Sequence, residues 1–347
     1  MAKKKKSDFE KSVEKVEKET GMAIHFGSDD KQTNTSIEVI PTPSLTLNYE
    51  LGCGGIPRGR IIEFFGPESG GKSTLAQLMI GTEQEKGNNT LYIDAENGFE
   101  PNYAEQLGVD TSSETWAYTQ PDYAEQMFTS IERYLEEKLF SLIVVDSVTA
   151  LLPKAEFDTE IEDQHYAPLA KVLSKAMRRL AKKIAVSNTT VIFINQLREE
   201  IGKVFGNPEK TPGGRALKFY SSVRLRINIL SDGYQKDDEG KVIGHKIKTK
   251  IVKNKVGPPL GEPSFILYYG DGVGQAYEIF EMGKNKDVIF KSGHTYYYKT
   301  KDWDPEKDEE KKSNDNVEKI AVGEDATIEE LKGNEEKFEA IRKRVLN

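Results

Sequence analysis

Between residues 37 and 230 the chain alternates two hydrophobic patterns. Short, nearly continuous apolar runs occur at 61–65, 90–93, 142–145 and 191–194. Between them lie longer stretches of helical period, clearest at 123–138 and 169–186. Unbroken apolar strands separated by helices predict a parallel sheet buried on both faces. Further strands are expected at 223–230, 246–252 and 264–268, in hairpins at the edge of that sheet.

The flanks read differently. The first twenty residues predict one charged helix in which Phe9, Val13 and Val16 form a single thin apolar stripe. Such a stripe suits docking on another surface better than burial in a core. The lysines at 3–6 read as a solvated tail and the polar stretch 27–36 as a linker. After Gly270 come a tyrosine-rich segment at 296–298, a charged run at 302–319 and a short helix expected over 328–345. The chain therefore divides into an N-terminal helix and linker (1–36), an α/β core (37–270) and a small α+β C-terminal domain (271–347).

The candidate chemistry sits at strand ends. Gly66-Pro67-Glu68-Ser69-Gly70-Gly71-Lys72-Ser73, followed by Thr74, fits the phosphate-loop pattern G-x-x-x-x-G-K-[ST], with an expected strand before it and a helix after it. Backbone N–H groups and the helix N-terminus would cradle phosphates. Lys72 would reach the β- and γ-phosphates, and the Ser73 hydroxyl would coordinate Mg²⁺. Asp146 follows four apolar residues and should emerge at the carboxyl end of a buried strand, positioned to hold the same metal. Asp94 and Glu96 close another strand, and alternation is expected to send them to opposite faces, one toward the γ-phosphate as a general base and one folding the turn. Gln196, at a further strand tip, is suited to sensing a γ-phosphate because an amide both donates and accepts.

Composition narrows the class. No apolar run approaches the roughly 20 residues that span a bilayer, and the basic start lacks the apolar segment of a secretory signal. A single cysteine, Cys53, excludes an internal disulfide framework and a cysteine-rich zinc site, which points to a cytoplasmic compartment. The net charge of −8 leans against a protein coated in basic charge for nucleic acid.

Taken together, the blocks GPESGGKST (66–74), YIDAEN (92–97), IVVDSVTALLPKAE (143–156), AMRRLA (176–181), IFINQLREEIGKVFGNPEKTPGGRALKFYSSVRLRI (192–227) and KIVKNK (250–255) resemble the bacterial RecA family of DNA recombinases. The resemblance runs in order from about Ser7 to the C-terminus. It implies a RecA-like P-loop ATPase core and an ATP-dependent recombinase that forms a helical filament on single-stranded DNA. DNA-stimulated ATP hydrolysis, homologous pairing with duplex DNA, strand exchange, and roles in DNA repair and the SOS response go with it. ATP and Mg²⁺ are the implied cofactors, and single-strand-binding and mediator proteins are implied partners.

The same resemblance assigns roles to residues. Glu96 is the catalytic carboxylate and Gln196 couples ATP to the DNA-binding loops. Tyr103 would stack on adenine, with Glu100 on the same side. Lys253 and Lys255 would reach the ATP of a neighbouring subunit, Phe219 would lie near that interface, and the N-terminal helix would dock on the adjacent protomer. Loops 153–166 and 197–215 would carry DNA. Arg178, Arg198, Lys203, Phe205, Gly213, Gly214 and Arg215 are the DNA-binding candidates, with the cations on phosphate, Phe205 against bases and the glycines supplying mobility.

The chain also departs from the family pattern. Gly70 stands where members often have Ser, Asn97 and Glu100 where they more often have His and Asp, and Arg215 where an amide is common. It ends at Val345-Leu346-Asn347 without a long acidic tail and carries an acidic stretch at 302–310 instead, so a cellular and a phage-encoded source (the host cytoplasm, in that case) both stay open. A hexameric RecA-fold helicase or branch-migration ATPase is the alternative reading. The lysines at 253–255, the N-terminal helix and the lack of a four-cysteine module disfavour it. A nucleotide-binding scaffold without hydrolysis is disfavoured by the presence of Glu96, Ser73 and Asp146, and a small-molecule kinase by the lack of an acceptor site.

Overall fold

A computed structural model of the chain describes residues 7–22, 37–160, 169–199, 209–210, 212–300 and 317–346. These fall into two compact units, 1–38 and 39–347. The first contains helix α1 (Asp8–Thr20). Ser7 and Glu10 form a reciprocal capping box at its start, and Gly21 in the left-handed region ends it. None of its residues is buried, and Phe9 and Val16 of the expected stripe are exposed.

The second unit opens on β1 (Val39–Ile40), α2 (Leu45–Glu50) and β2 (Ile56–Pro57). The expected alternation follows: β3 (Ile61–Gly66), α3 (Lys72–Glu85), β4 (Thr90–Asp94), α4 (Pro101–Gln106), β5 (Trp116–Thr119) and α5 (Ala124–Glu136). After them come β6 (Leu142–Asp146), α6 (Leu169–Ser187) and β7 (Thr190–Gln196). A short ladder pairs β8 (Arg198–Glu199) with β9 (Glu209–Lys210), and helix α7 (Ala216–Tyr220) leads into β10 (Val223–Lys236). Then come β11 (Val242–Asn254), β12 (Ser264–Tyr268) and β13 (Gly272–Val273).

Nine of these strands form one sheet in the order β13-β12-β11-β10-β3-β7-β6-β4-β5. From β10 to β5 all neighbours run parallel, whereas β10 to β13 are antiparallel hairpins at the edge. Strand alternation divides the apolar runs between two cores. Ile62, Phe64, Tyr92, Val144, Ile192 and Ile194 face α3, with its Leu75, Met79 and Ile80. Ile61, Leu91, Ile93, Ile143, Val145 and Phe193 face α5 and α6 on the other side. At about 1.5–3 kcal/mol for each large apolar side chain, this two-sided burial is what orders the sheet.

The edge hairpin is longer than its apolar runs suggest. The β10–β11 ladder continues past 230 to Lys236 and Val242, with shifts of register between Ile229 and Tyr234. The C-terminal segment comprises α8 (Gln275–Asn285), a sheet of β14 (Ile289–Ser292), β15 (Thr295–Lys299) and β16 (Val317–Val322), then α9 (Glu324–Gly333) and α10 (Glu335–Leu346). The single helix expected over 328–345 is thus two. Asn334 leaves the helical region after Gly333, and its side-chain oxygen accepts from Lys337 N at 3.1 Å to cap the next helix. Most of the charged run at 302–319, including the acidic stretch, lies outside the described residues; its end, from Val317, is β16. This segment has a third core around Phe280, Tyr296, Ile320 and Ile341, which Leu45 of α2 joins. Buried Glu278 fastens it, accepting from Ser44 Oγ at 2.5 Å, Leu45 N at 3.1 Å and Thr46 N at 3.0 Å.

The register also builds a polar row across the central strands. Phe193, Glu63, Arg224 and Lys253 are successive partners on β7, β3, β10 and β11. Glu63 and Arg224 form a buried ion pair, Arg224 lies over the Phe65 ring, and Asn195 Nδ2 donates to Glu63 at 3.1 Å. Asn195 Nδ2 also contacts Pro212 O at 3.3 Å, tying the row to the far stem of the 197–215 loop. Arg224→Ala would leave an unpaired carboxylate in the interior. It is expected to lower the unfolding free energy by about 3–5 kcal/mol. Urea unfolding followed by circular dichroism measures it, and a loss below about 1 kcal/mol, the scale of an exposed pair, would contradict this role.

Candidate active site

The glycine loop is shaped by what lies under it. A Cβ on Gly66 would stand 2.0 Å from the carbonyl oxygen of Ile227 in β10, so no side chain fits. Gly71 has φ +83, and a Cβ there would meet Ile247 Cδ1 at 2.7 Å. At Gly70 the nearest atoms are 3.2 Å away and φ is not positive, so the position is tight but less restricted than Gly66 or Gly71. Gly71 caps α3 with no side-chain hydrogen bond, so the N–H groups of the first turn have no side-chain acceptor there.

Lys72 is buried and folded over the loop, its Nζ donating to Pro67 O at 2.5 Å. Burial pushes its pKa down, opposed by the carboxylates of Asp146, Glu96 and Glu68. Asp146, at the end of β6, is also buried, and burial pushes its carboxyl up. Hydrogen bonds from the Ser73 and Tyr92 hydroxyls oppose that shift, the Tyr92 bond being 2.6 Å long. Ser73 and Asp146 are therefore neighbours, as a shared metal would require. Among the described residues no group of three or more His, Cys, Asp or Glu could enclose a metal. Two oxygen ligands from the protein, with the rest supplied by phosphates and water, fit Mg²⁺ rather than a caged ion.

Glu96 and Asp94 do diverge, but not through strand alternation, since residues two apart share a face. β4 ends at Asp94, whose carboxylate accepts from Glu96 N, Gly98 N and Phe99 N at 3.0–3.3 Å and folds a turn. Tyr118 Oη donates to it at 3.0 Å. The turn leaves Glu96 exposed, with its side chain accepting from the Ser147 hydroxyl and from Gln196 Nε2 at 2.8 Å. Glu68, Ser69, Lys72, Ser73, Glu96, Asp146 and Gln196 line one cavity of about 240 Å³. Ser147 and Tyr92 support this group through their hydrogen bonds to Glu96 and Asp146, without having been expected. Tyr92 lies inside an apolar run and reads as core, and only the Asp-Ser pair at 146–147 hints at the other.

A second cavity, of about 370 Å³, shares Ser69, Lys72 and Ser73 with the first and extends to Tyr103. The Tyr103 hydroxyl lies 3.3 Å from that of Thr74. Glu100 lines neither cavity; it caps α4, accepting from Asn102 N at 3.3 Å and Asn102 Nδ2 at 2.9 Å.

The remaining candidates lie elsewhere. Val223, which begins β10, pairs with Asn254, so Lys253 and Lys255 flank the end of the sheet opposite the glycine loop of the same chain. Lys253 Nζ donates to Lys218 O at 2.7 Å and Phe219 O at 3.0 Å, while burial, then Lys255 and Arg224, push its pKa down. Exposed Lys255 and Phe219 line a cavity of about 720 Å³. Arg178 is exposed on α6 and Arg215 at the start of α7. Gly213 and Gly214 have φ +80 and +75, and Cβ atoms there would meet Leu173 at 2.2 Å and Ala170 at 2.9 Å. These glycines press the loop's far stem onto α6 rather than simply loosening it. The backbone of Arg198 lies in β8, whereas Lys203, Phe205 and part of the 153–166 loop lie outside the described residues.

A family model described as the RecA N-terminal domain matches residues 7–274. The chain is similar to Protein RecA of Lactobacillus acidophilus, 43% identical over 301 residues that cover 86% of this chain and 81% of that protein. Protein RecA of Caldanaerobacter subterraneus subsp. tengcongensis is 44% identical over 296 residues, covering 85% and 84%. The crystal structure of the RadB recombinase is similar at a TM-score of 0.51, covering 68% of this chain and 98% of that one; at 23% identity the likeness concerns the fold alone.

Gly66→Ala is expected to displace the loop from β10 and weaken binding of a fluorescent ATP analogue by about 10-fold or more. Gly98→Ala, where a Cβ meets nothing within 4 Å, should bind as the unaltered chain does. Equal affinities for the two variants would refute the steric account.

Proposed function

The chain belongs to the RecA family, and on that premise we propose that it is an ATP-dependent recombinase. It would form a helical filament on single-stranded DNA, hydrolyse ATP when DNA is bound, and pair and exchange homologous strands. The observation that carries this reading is the 2.8 Å hydrogen bond between Gln196 and Glu96. It joins a carboxylate of the phosphate-loop cavity to the strand tip that leads into the basic loop 197–215.

Each residue then has a task. The first-turn N–H groups of α3 bind phosphate oxygens, and Lys72 exchanges the Pro67 carbonyl for phosphate. Ser73 and Asp146 would hold Mg²⁺, which when bound offsets negative charge on the phosphates. Glu96, fixed by Ser147 and Gln196, orients an attacking water and takes its proton on the carboxylate. Gln196 can favour or release that arrangement as the loop engages DNA, since its backbone N–H is held by Thr149 Oγ1 at 3.3 Å. Tyr103 serves the nucleoside side of the site.

Arg178, Arg198, Lys203, Phe205, Arg215 and the Gly213–Gly214 stem are assigned to DNA. Lys253, Lys255 and Phe219 are assigned to a neighbouring subunit, because their place beyond the opposite end of the sheet suits a site in trans. Residues 1–36 would add the docking helix, 37–270 the ATPase and 271–347 a small C-terminal domain within the same compact unit as the ATPase. A net charge of −8 accords with this, because a few cations repeated once per subunit along a strand outweigh the whole-chain average.

Strand exchange between homologous DNAs with ATP and Mg²⁺, electron microscopy, and ATP turnover with and without single-stranded DNA test the proposal. Joint molecules, filaments and DNA-stimulated turnover are expected; the absence of all three would overturn it. Glu96→Gln should lower DNA-stimulated turnover by about 10²–10⁴-fold while filaments still form on DNA. Undiminished turnover would remove Glu96 from the base role.

A further inference from the structure

Next to the carboxylate assigned to the metal, the apolar layer between the sheet and α3 carries two polar side chains that no motif accounts for. Tyr92, on β4, is 2% exposed, and its hydroxyl donates to Asp146 Oδ2 at 2.6 Å. Gln77, on α3, is 5% exposed. Its side chain hydrogen-bonds the same hydroxyl, while its Oε1 has no partner among the described residues. Strand register explains the reach of the tyrosine. Tyr92 pairs with Val144 on β6, on the face that Val144 shares with Asp146, so its hydroxyl arrives at the residue two places further along.

As filler, apolar side chains at 77 and 92 would cost less, because a buried amide oxygen without a partner is penalised. The hydroxyl does one thing that a phenyl ring cannot: it commits one oxygen of Asp146. Rotation of a carboxylate about its last bond is broad and two-fold, so holding one oxygen gives the other a defined direction. The ring that holds it is itself fixed, with Phe99 and Trp116 at centroid distances of 5.2 and 6.2 Å. Phe99 belongs to the turn that aims Glu96, its N–H being held by Asp94. Ser73, the other hydroxyl on Asp146, is itself assigned to the cation. Tyr92 is thus the donor that serves the carboxylate without being a metal ligand.

We propose that Tyr92 is a positioning residue for Mg²⁺: by holding Asp146 Oδ2, it fixes the carboxylate in the orientation that serves a cation shared with Ser73, and so sets the affinity for that cation. The proposal rests on the nucleotide and Mg²⁺ reading of the phosphate-loop cavity and adds to it a determinant outside the ligand set. Nucleotide binding with and without the metal separates the two.

The experiment titrates a fluorescent ATP analogue into the full chain in EDTA and at a series of free Mg²⁺ concentrations. It compares the unaltered chain with Tyr92→Phe, Gln77→Leu and the double variant carrying both changes. Tyr92→Phe keeps the ring and removes one oxygen. It should raise the Mg²⁺ concentration that gives half of the metal-dependent gain in affinity by about 10-fold or more, and leave affinity in EDTA unchanged. Gln77→Leu leaves the donor to Asp146 in place and should keep the Mg²⁺ dependence of the unaltered chain. The double variant replaces both buried polar partners by apolar groups of similar shape, a change close to neutral for stability. It should repeat the Mg²⁺ shift of Tyr92→Phe, and it decides the matter even if the single variant fails to fold. An unchanged Mg²⁺ dependence in the double variant, an equal loss in EDTA and in Mg²⁺, or a comparable shift in Gln77→Leu would each overturn the positioning role. Failure of the unaltered chain to bind the analogue would instead overturn the nucleotide reading, and binding indifferent to Mg²⁺ would overturn the metal reading.

Discussion

Two-sided burial of a parallel sheet is the constraint from which the rest follows. Once Ile61 to Phe65, Leu142 to Val145 and Val191 to Ile194 are covered by helices on both faces, polar groups can meet water only at the strand ends. Parallel direction brings like ends together, so Gly66, Asp94, Asp146 and Gln196 arrive at one edge although up to 130 residues separate them in the chain. The site is assembled by the apolar pattern of its strands before any polar residue contributes. The helices add directed N-termini at that same edge, which is where a phosphate is best held.

At this edge the polar groups constrain one another. Asp146 is drawn toward its neutral form by burial and toward its charged form by two hydroxyls, while Lys72 is drawn toward neutrality by burial and toward charge by three carboxylates. Neither group is at ease alone: Lys72 leans on the charge of Asp146, and Asp146 on the two hydroxyls. A triphosphate with its cation would enter such a site by replacing internal partners rather than creating new ones. The Lys72–Pro67 contact is of this replaceable kind.

What could be read from the sequence was what is local. The glycine loop, Asp146 and the paired strand tips carry short patterns, and the structure places them around one cavity. The break at Asn334 was hidden because apolar residues continue at helical spacing through it, from Ile328 to Val345, and the capping role of one amide is not periodic. Glu96 was identified for its chemistry but oriented by the wrong rule, since the turn that aims it depends on three N–H groups accepted by Asp94. The glycines at 213 and 214 looked like sources of mobility because their contacts, Leu173 and Ala170, lie some forty residues earlier. His245 and Tyr269, which line the second cavity together with Gly70 and Gly71, were silent for a similar reason: only the register of β10, β11 and β12 brings them there. Net charge misled because it has no address.

The contact of Lys253 with the carbonyls of Lys218 and Phe219 bears on how subunits would join. In the isolated chain this ammonium group neutralises the carbonyl end of α7. A neighbour's phosphates would have to win the lysine from that helix end, leaving Phe219 on a less restrained backbone at the same moment. Assembly of this kind is a ligand exchange around one cation. Its free energy is the difference between two strong contacts, so a filament built on it can also come apart when the neighbour's nucleotide loses a phosphate.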